Sequence, residues 1–176
     1  MKNIQEWFNE YGESHKNSVN KIIHWVCIPL IFWSIIALLS LIPHSYLDIF
    51  NSHFLNGLTH WGTVIIILGL FFYIKLSFSV FIGMLLFSLV VLVDIYYTTY
   101  LFNVNRYWGI FSNFQISAET FLLYFSCLVF IFSWILQFVG HKIEGKKPSF
   151  FKDIQFLLIG PAWLIGFIYK KLNIKL

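Results

Sequence analysis

Three histidines offer the strongest chemistry in this sequence: His15, His24 and His141. The first two belong to the cluster His15-Lys16-Asn17-Ser18-Val19-Asn20-Lys21-Ile22-Ile23-His24. Read as helix from Asn17, it sets Asn17, Asn20 and His24 at i, i+3 and i+7, on one face. His15 is off that stripe. Nine residues at roughly 100° each come to about 900°, opposite His24 in a straight helix. Both reach one site only if the chain bends near Ser18, the expected N-cap. The second cluster runs from Trp134 to Pro148. There Trp134, Gln137, His141 and Glu144 fall at i, i+3, i+7 and i+10, along one helix face. Imidazole and carboxylate groups suit iron, zinc or copper, and spacing alone names no metal.

The remaining chemistry-bearing residues are more dispersed. His44, His53 and His60 have only Asp48 as a nearby carboxylate and sit among interfacial residues such as Tyr46 and Trp61. They read as anchors at the opposite end. Asp94 is the one acid deep in an apolar run. A carboxylate there is a functional candidate by default. The expectation is a hydrogen bond to Tyr97 or Thr98, or a pair with Arg106, with proton relay as the sharper reading. Cys27 and Cys127 have no CxxC spacing and read as buried free thiols.

The elements that must position these groups follow from composition. Hydrophobic residues make up 59% of the 176, aromatics 21% and charged residues 11%. A soluble domain is about 45–50% apolar and about 25% charged. Disorder is excluded, because it needs low hydrophobicity and high charge. A soluble globule of this size could not hide so much apolar surface. The expectation is an all-α integral membrane bundle forming one domain over residues 1–176. An interfacial segment covers 1–20, a four-span bundle 21–139, and a cytoplasmic motif with a short apolar helix 140–176. The spans are expected at about Trp25 to Ile42, Phe54 to Ile74, Leu76 to Phe102 and Ala118 to Val139. The stretch Ile154 to Tyr169 is short, and Gly160-Pro161 is expected to break it, giving a re-entrant or interfacial helix. Trp7, Phe8, Tyr11 and His15 suggest an amphipathic helix lying on the membrane surface. Residues 1–21 lack the apolar core of a signal peptide, so the first span is expected to remain in the mature protein.

Net charge is +4, from 12 basic and 8 acidic residues. The placement of the lysines matters more than the sum. Lys2, Lys16 and Lys21 precede the first span, Lys75 separates the second and third, and Lys142, Lys146, Lys147 and Lys152 follow the fourth. The loop from Pro43 to His53 has none. Four spans with both termini cytoplasmic satisfy this pattern. That topology puts both polar clusters on one membrane face. Nucleic acid is not an expected partner; membrane lipid is.

Tyr11…His15-x-Asn17-x-x-Asn20-x-x-x-His24…Pro29, then Trp134-x-x-Gln137-Phe138-x-Gly140-His141…Glu144-Gly145-x-x-Pro148, resembles the 2-hydroxy fatty acid dioxygenase family. Eukaryotic members of that family act in the α-oxidation step of phytosphingosine breakdown in the endoplasmic reticulum. The tail Pro148-Ser149-Phe150-Phe151-Lys152-Asp153 through Gly160-Pro161 resembles the bacterial branch, which implies a bacterial inner membrane. The match covers both ends of the chain, while the middle agrees only in hydrophobicity.

The resemblance implies an Fe(II)-dependent enzyme that uses O₂ to shorten a 2-hydroxy fatty acid by one carbon. Carried onto this chain, the ligands would be among His15, His24 and His141, with Glu144 the nearest candidate for a fourth ligand or an acid/base. Asn20 and Gln137 would orient the imidazoles, with Tyr11 and Asn17 close by. Three histidines leave three octahedral positions, enough for a chelating 2-hydroxy acid and O₂. Lys142, Lys146 or Lys147 would attract the carboxylate, if they are more than topology signals. Zinc can occupy such sites on isolation. Two other readings stay open: a metal enzyme acting on another lipid, and a membrane scaffold or transporter.

Overall fold

The computed structural model describes residues 2–107, 116–148 and 155–176, apart from the side chains of Arg106 and Tyr107. The Arg106 partner expected for Asp94, and the tail Ser149 to Asp153 with its Lys152, lie outside the described residues. Within them the chain is all helix, with no strand. The helices are α1 (Ile4–Gly12), α2 (Ser18–Ser40), α3 (His53–Leu58), α4 (Trp61–Leu76), α5 (Phe78–Tyr107), α6 (Ala118–Glu144) and α7 (Phe156–Lys171), with a 3₁₀ turn at Ser45–Leu47.

Three of them, α2, α5 and α6, are long and apolar enough to cross a membrane. Their 23, 30 and 27 residues rise about 34, 45 and 40 Å, against a hydrocarbon core of about 30 Å. The expected second span is divided. His60 leaves the helical conformation and its Nδ1 accepts the Gly62 N–H at 3.1 Å, capping a new helix. That leaves α4 with 16 residues, about 24 Å. Ser77, in extended backbone, separates α4 from α5.

Local signals set the remaining boundaries. Asn3 and Glu6 cap each other's backbone N–H at the start of α1. The cap of α2 is Asn17 rather than Ser18: its Oδ1 accepts from Val19 N at 2.9 Å and Asn20 N at 3.4 Å. Gly145, at φ 72, takes the left-handed conformation that ends α6.

Two expectations about the ends of the chain are corrected. First, α7 runs unbroken through Pro161. The ring removes only the bond to the Leu157 carbonyl, and dense packing of Phe156 and Ile159 to Gly166 holds the helix together. Second, the apolar face of α1 is not laid on the membrane. Trp7, Phe8 and Tyr11 are 5–8% exposed and pack on α7, with Trp7 against Phe156 and Phe8 against Gly166. A rigid apolar helix already covers that face.

The same end of the bundle gathers the start of α2, the end of α6 and the α4–α5 corner. Tyr73 donates to the Leu158 carbonyl at 2.7 Å, and Tyr169 to the Ser79 carbonyl at 2.8 Å. Tyr46 packs on Trp61 and His44 lies near His60 beyond the other ends of these helices. His53 approaches the Tyr96 hydroxyl there at 3.4 Å. Asp94 accepts from the Trp33 indole N–H at 2.7 Å. Among the described residues its partner is thus on α2, and not the Tyr97 or Thr98 of its own helix.

Candidate metal centre

The site is built on the pairing of α2 with α6, the most extensive helix contact in the fold. A seam of small and polar residues makes this pairing close. Asn20, Cys27 and Ser34 recur every seven residues on α2, and Ser126, Ser133 and Gly140 on α6; all six are buried. Asn20 meets Gly140, so the antiparallel register sets Cys27 opposite Ser133 and Ser34 opposite Ser126. Small residues let helix backbones approach in a membrane, where lipid gives no hydrophobic drive. A Cβ on Gly140 would press into Asn20 Oδ1. The sequence reading missed this seam, although its seven-residue period was the available signal.

That approach brings His24 and His141 together, with ring centroids 4.8 Å apart. His15 arrives from the segment between α1 and α2, where the chain bends. Its ring lies 4.3 Å from His24 and 5.0 Å from His141. One ligand atom from each of the three lies within 4.8 Å of the others. The rings are anchored from behind. His15 Nδ1–H donates to the Tyr11 carbonyl at 2.6 Å, and His24 Nδ1–H to the Asn20 carbonyl at 2.9 Å. Tyr11 also stacks on His15, at 4.2 Å and 15°. His15 Nε2, His24 Nε2 and His141 Nδ1 are buried and accept no hydrogen bond from the described residues. Burial lowers the His15 imidazole from 6.5 to about 4, so the ring is neutral at physiological pH. Three buried ring nitrogens without partners among the described residues, on rings that cluster closely, form a donor set that suits a divalent metal, with backbone carbonyls fixing two of the tautomers.

Glu144 is not a fourth member of the set. Its oxygens accept from Lys16 N and Asn17 N at 2.8 Å each, and from Asn20 Nδ2 at 3.1 Å. The carboxylate is turned to the chain between α1 and α2 and braces it. The Asn20 side chain, which also donates to the Ser14 carbonyl at 3.0 Å, ties the same segment instead of orienting an imidazole. Asn17 acts as the cap of α2. Gln137 remains beside the histidines and lines the cavity below them. None of the three lysines does. Lys146 donates to the Glu13 carbonyl at 2.8 Å and pairs with its carboxylate, while Lys142 and Lys147 are exposed.

The histidines close one end of a cavity of about 270 Å³. Tyr11, His15, His24, Gln137 and His141 supply most of its polar groups, and Ile28, Ile31, Phe32, Ile35 and Phe130 much of its apolar wall.

Together these features define an all-helical membrane protein with a three-histidine candidate metal centre at the head of an apolar cavity. A family model described as 2-hydroxy-palmitic acid dioxygenase Mpo1-like matches residues 1–172, and the chain belongs to this family. No curated protein and no solved structure matches the chain.

Proposed function

We propose that this chain is an Fe(II)-dependent dioxygenase that shortens 2-hydroxy fatty acids by one carbon at the cytoplasmic face of its membrane. The observation that carries the reading is the convergence of three buried ring nitrogens, without partners among the described residues, on the head of an otherwise apolar cavity. Family membership supports the substrate class. His15, His24 and His141 would hold the iron, and Fe(II) supplies O₂ activation and a chelation point for a 2-hydroxy carboxylate when bound. One O₂ per substrate balances cleavage of the C1–C2 bond to the shortened acid, carbon dioxide and water.

The chain's own residues do the positioning. The Tyr11 and Asn20 carbonyls hold the Nδ1 protons of His15 and His24, so their Nε2 lone pairs point inward. The Gln137 amide lies one helical turn from His141 and offers hydrogen bonds to the substrate's hydroxyl or carboxylate. Apolar walls exclude water from the reacting carbons. Among the described residues no lysine lines the cavity, and Gln137 and the centre itself are the groups placed to receive the carboxylate. Lys16, Lys21, Lys75, Lys142, Lys146 and Lys147 border this end, which supports a cytoplasmic orientation for it and for both termini.

The test is anaerobic purification with metal analysis, then incubation with Fe(II), O₂ and 2-hydroxypalmitate, with products read by mass spectrometry. Pentadecanoate that disappears with chelator supports the reading. A metal-loaded protein that leaves 2-hydroxypalmitate intact overturns the substrate, and a metal-free one overturns the centre.

A further inference from the structure

The cavity below the histidines has a direction. On α2 the lining residues are His24, Ile28, Ile31, Phe32 and Ile35; on α6 they are His141, Gln137, Trp134 and Phe130. The helices are antiparallel, so the two stripes run side by side away from the centre. Each spans twelve residues, a rise of about 16 Å from first to last. That is close to half of a hydrocarbon core of about 30 Å, the depth of one leaflet. Polar groups are concentrated at the histidine end. The far end is not closed: Ile35 lines the cavity and is 39% exposed on the apolar outer face. Nearer the histidines the flank is open too: Leu157, on α7, lines the cavity and is 45% exposed.

We propose that this α2–α6 groove is the acyl-chain site, that its substrate enters sideways from the leaflet, and that Ile31, Ile35 and Phe130 set chain-length selectivity. This rests on the dioxygenase reading for the identity of the head group. A groove one leaflet long with one polar end fits a single-chain amphiphile already oriented in the bilayer. Because the far end opens to lipid, chains longer than the groove protrude and are accepted. Chains too short to reach Ile31 forgo much of the apolar contact. Selectivity therefore rises with length up to the groove's end and then levels off.

The test uses the full-length protein in lipid nanodiscs, with metal content as the control for an intact centre. Turnover of 2-hydroxyoctanoate, 2-hydroxypalmitate and 2-hydroxylignocerate is compared in wild type, Ile31→Trp and Ile35→Trp. The Ile35 variant is on the open face, where a larger ring is accommodated without repacking the core. A methylene forced out of the groove passes into lipid, so it loses its packing contacts with the groove walls and not the water-to-apolar transfer energy. Ile31→Trp should thus lower the ratio of 2-hydroxypalmitate to 2-hydroxyoctanoate, and Ile35→Trp should lower it less, because Ile35 lies one helical turn nearer the open end. In parallel, palmitate and 2-hydroxypalmitate carrying a terminal diazirine are photolysed on the wild-type protein. Label on α2 around Ile35 and α6 around Phe130 is expected from both probes. Turnover with unchanged ratios and label on other helices overturns the groove and leaves the dioxygenase reading standing. Label at Ile35 and Phe130 without turnover of any 2-hydroxy acid keeps the groove and overturns that reading. Neither label nor turnover removes both.

Discussion

Replacing Glu144 with glutamine separates a metal ligand from a structural brace. The carboxylate receives two backbone N–H groups at 2.8 Å and the Asn20 amide at 3.1 Å. Glutamine keeps the shape but sets an NH₂ group against one of these donors. A hydrogen bond to a charged acceptor contributes about 1.5–3 kcal/mol. The carboxylate is partly exposed, so about 2 kcal/mol is a reasonable loss, or about 30-fold in docking of the segment that carries His15. Metal affinity falls by at most that factor, since it scales with the population of the competent state. The assay is a zinc titration of full-length protein against a competing chelator, with thermal unfolding in the same detergent. The expected result is full occupancy at saturation, weaker affinity by up to about 30-fold, and a lower Tm. A folded Glu144→Gln protein that never reaches full occupancy would make the carboxylate a ligand. Unchanged affinity and Tm would refute the brace.

Other outcomes follow from the same geometry. His24→Ala and His141→Ala should each abolish stoichiometric metal while circular dichroism still reports the helical fold; full metal content in either disproves the centre. Gly140→Ala drives a methyl into Asn20 and should cost about 1–3 kcal/mol, seen as a lower Tm together with weaker metal binding. Asp94→Asn keeps an acceptor for the Trp33 indole and should retain activity, whereas loss of turnover with normal metal content would place Asp94 in the mechanism. For the metal-free protein, His15 titrates at about 4 when folded and near 6.5 when unfolded. Below pH 6.5 the unfolded chain takes the proton first, so stability is lost as pH falls from 6.5 towards 4, by about 3 kcal/mol in all. Comparing Tm against pH for wild type and His15→Asn checks this, and parallel curves would contradict it.

Much of the architecture was legible because its signals are local. Hydropathy over a window of helical length locates α2, α5 and α6, as each long apolar run must satisfy its own backbone in lipid. The stripe of Asn17, Asn20 and His24 and the stripe of Trp134, Gln137, His141 and Glu144 are properties of one helix each. The lysine pattern and the need for a bend before α2 then sufficed to expect His15, His24 and His141 at one end. The break at His60 was less legible, since it depends on a side chain capping the backbone within an apolar stretch.

Composition and spacing alone thus determined the helical membrane class and three histidines able to meet. The pairing of side chains from distant segments was decided only by the tertiary structure. Glu144 shares a helix face with His141, yet the N–H groups that claim its oxygens come from more than 120 residues away in the chain. Pro161 reads as a helix breaker until α1, α2 and α5 pack around it. Asp94 finds Trp33 across a helix pair, and the cavity exists only because a seam of small residues lets α2 and α6 approach. Each of these outcomes depends on which surfaces exclude lipid or water from one another, and helical periodicity does not encode that.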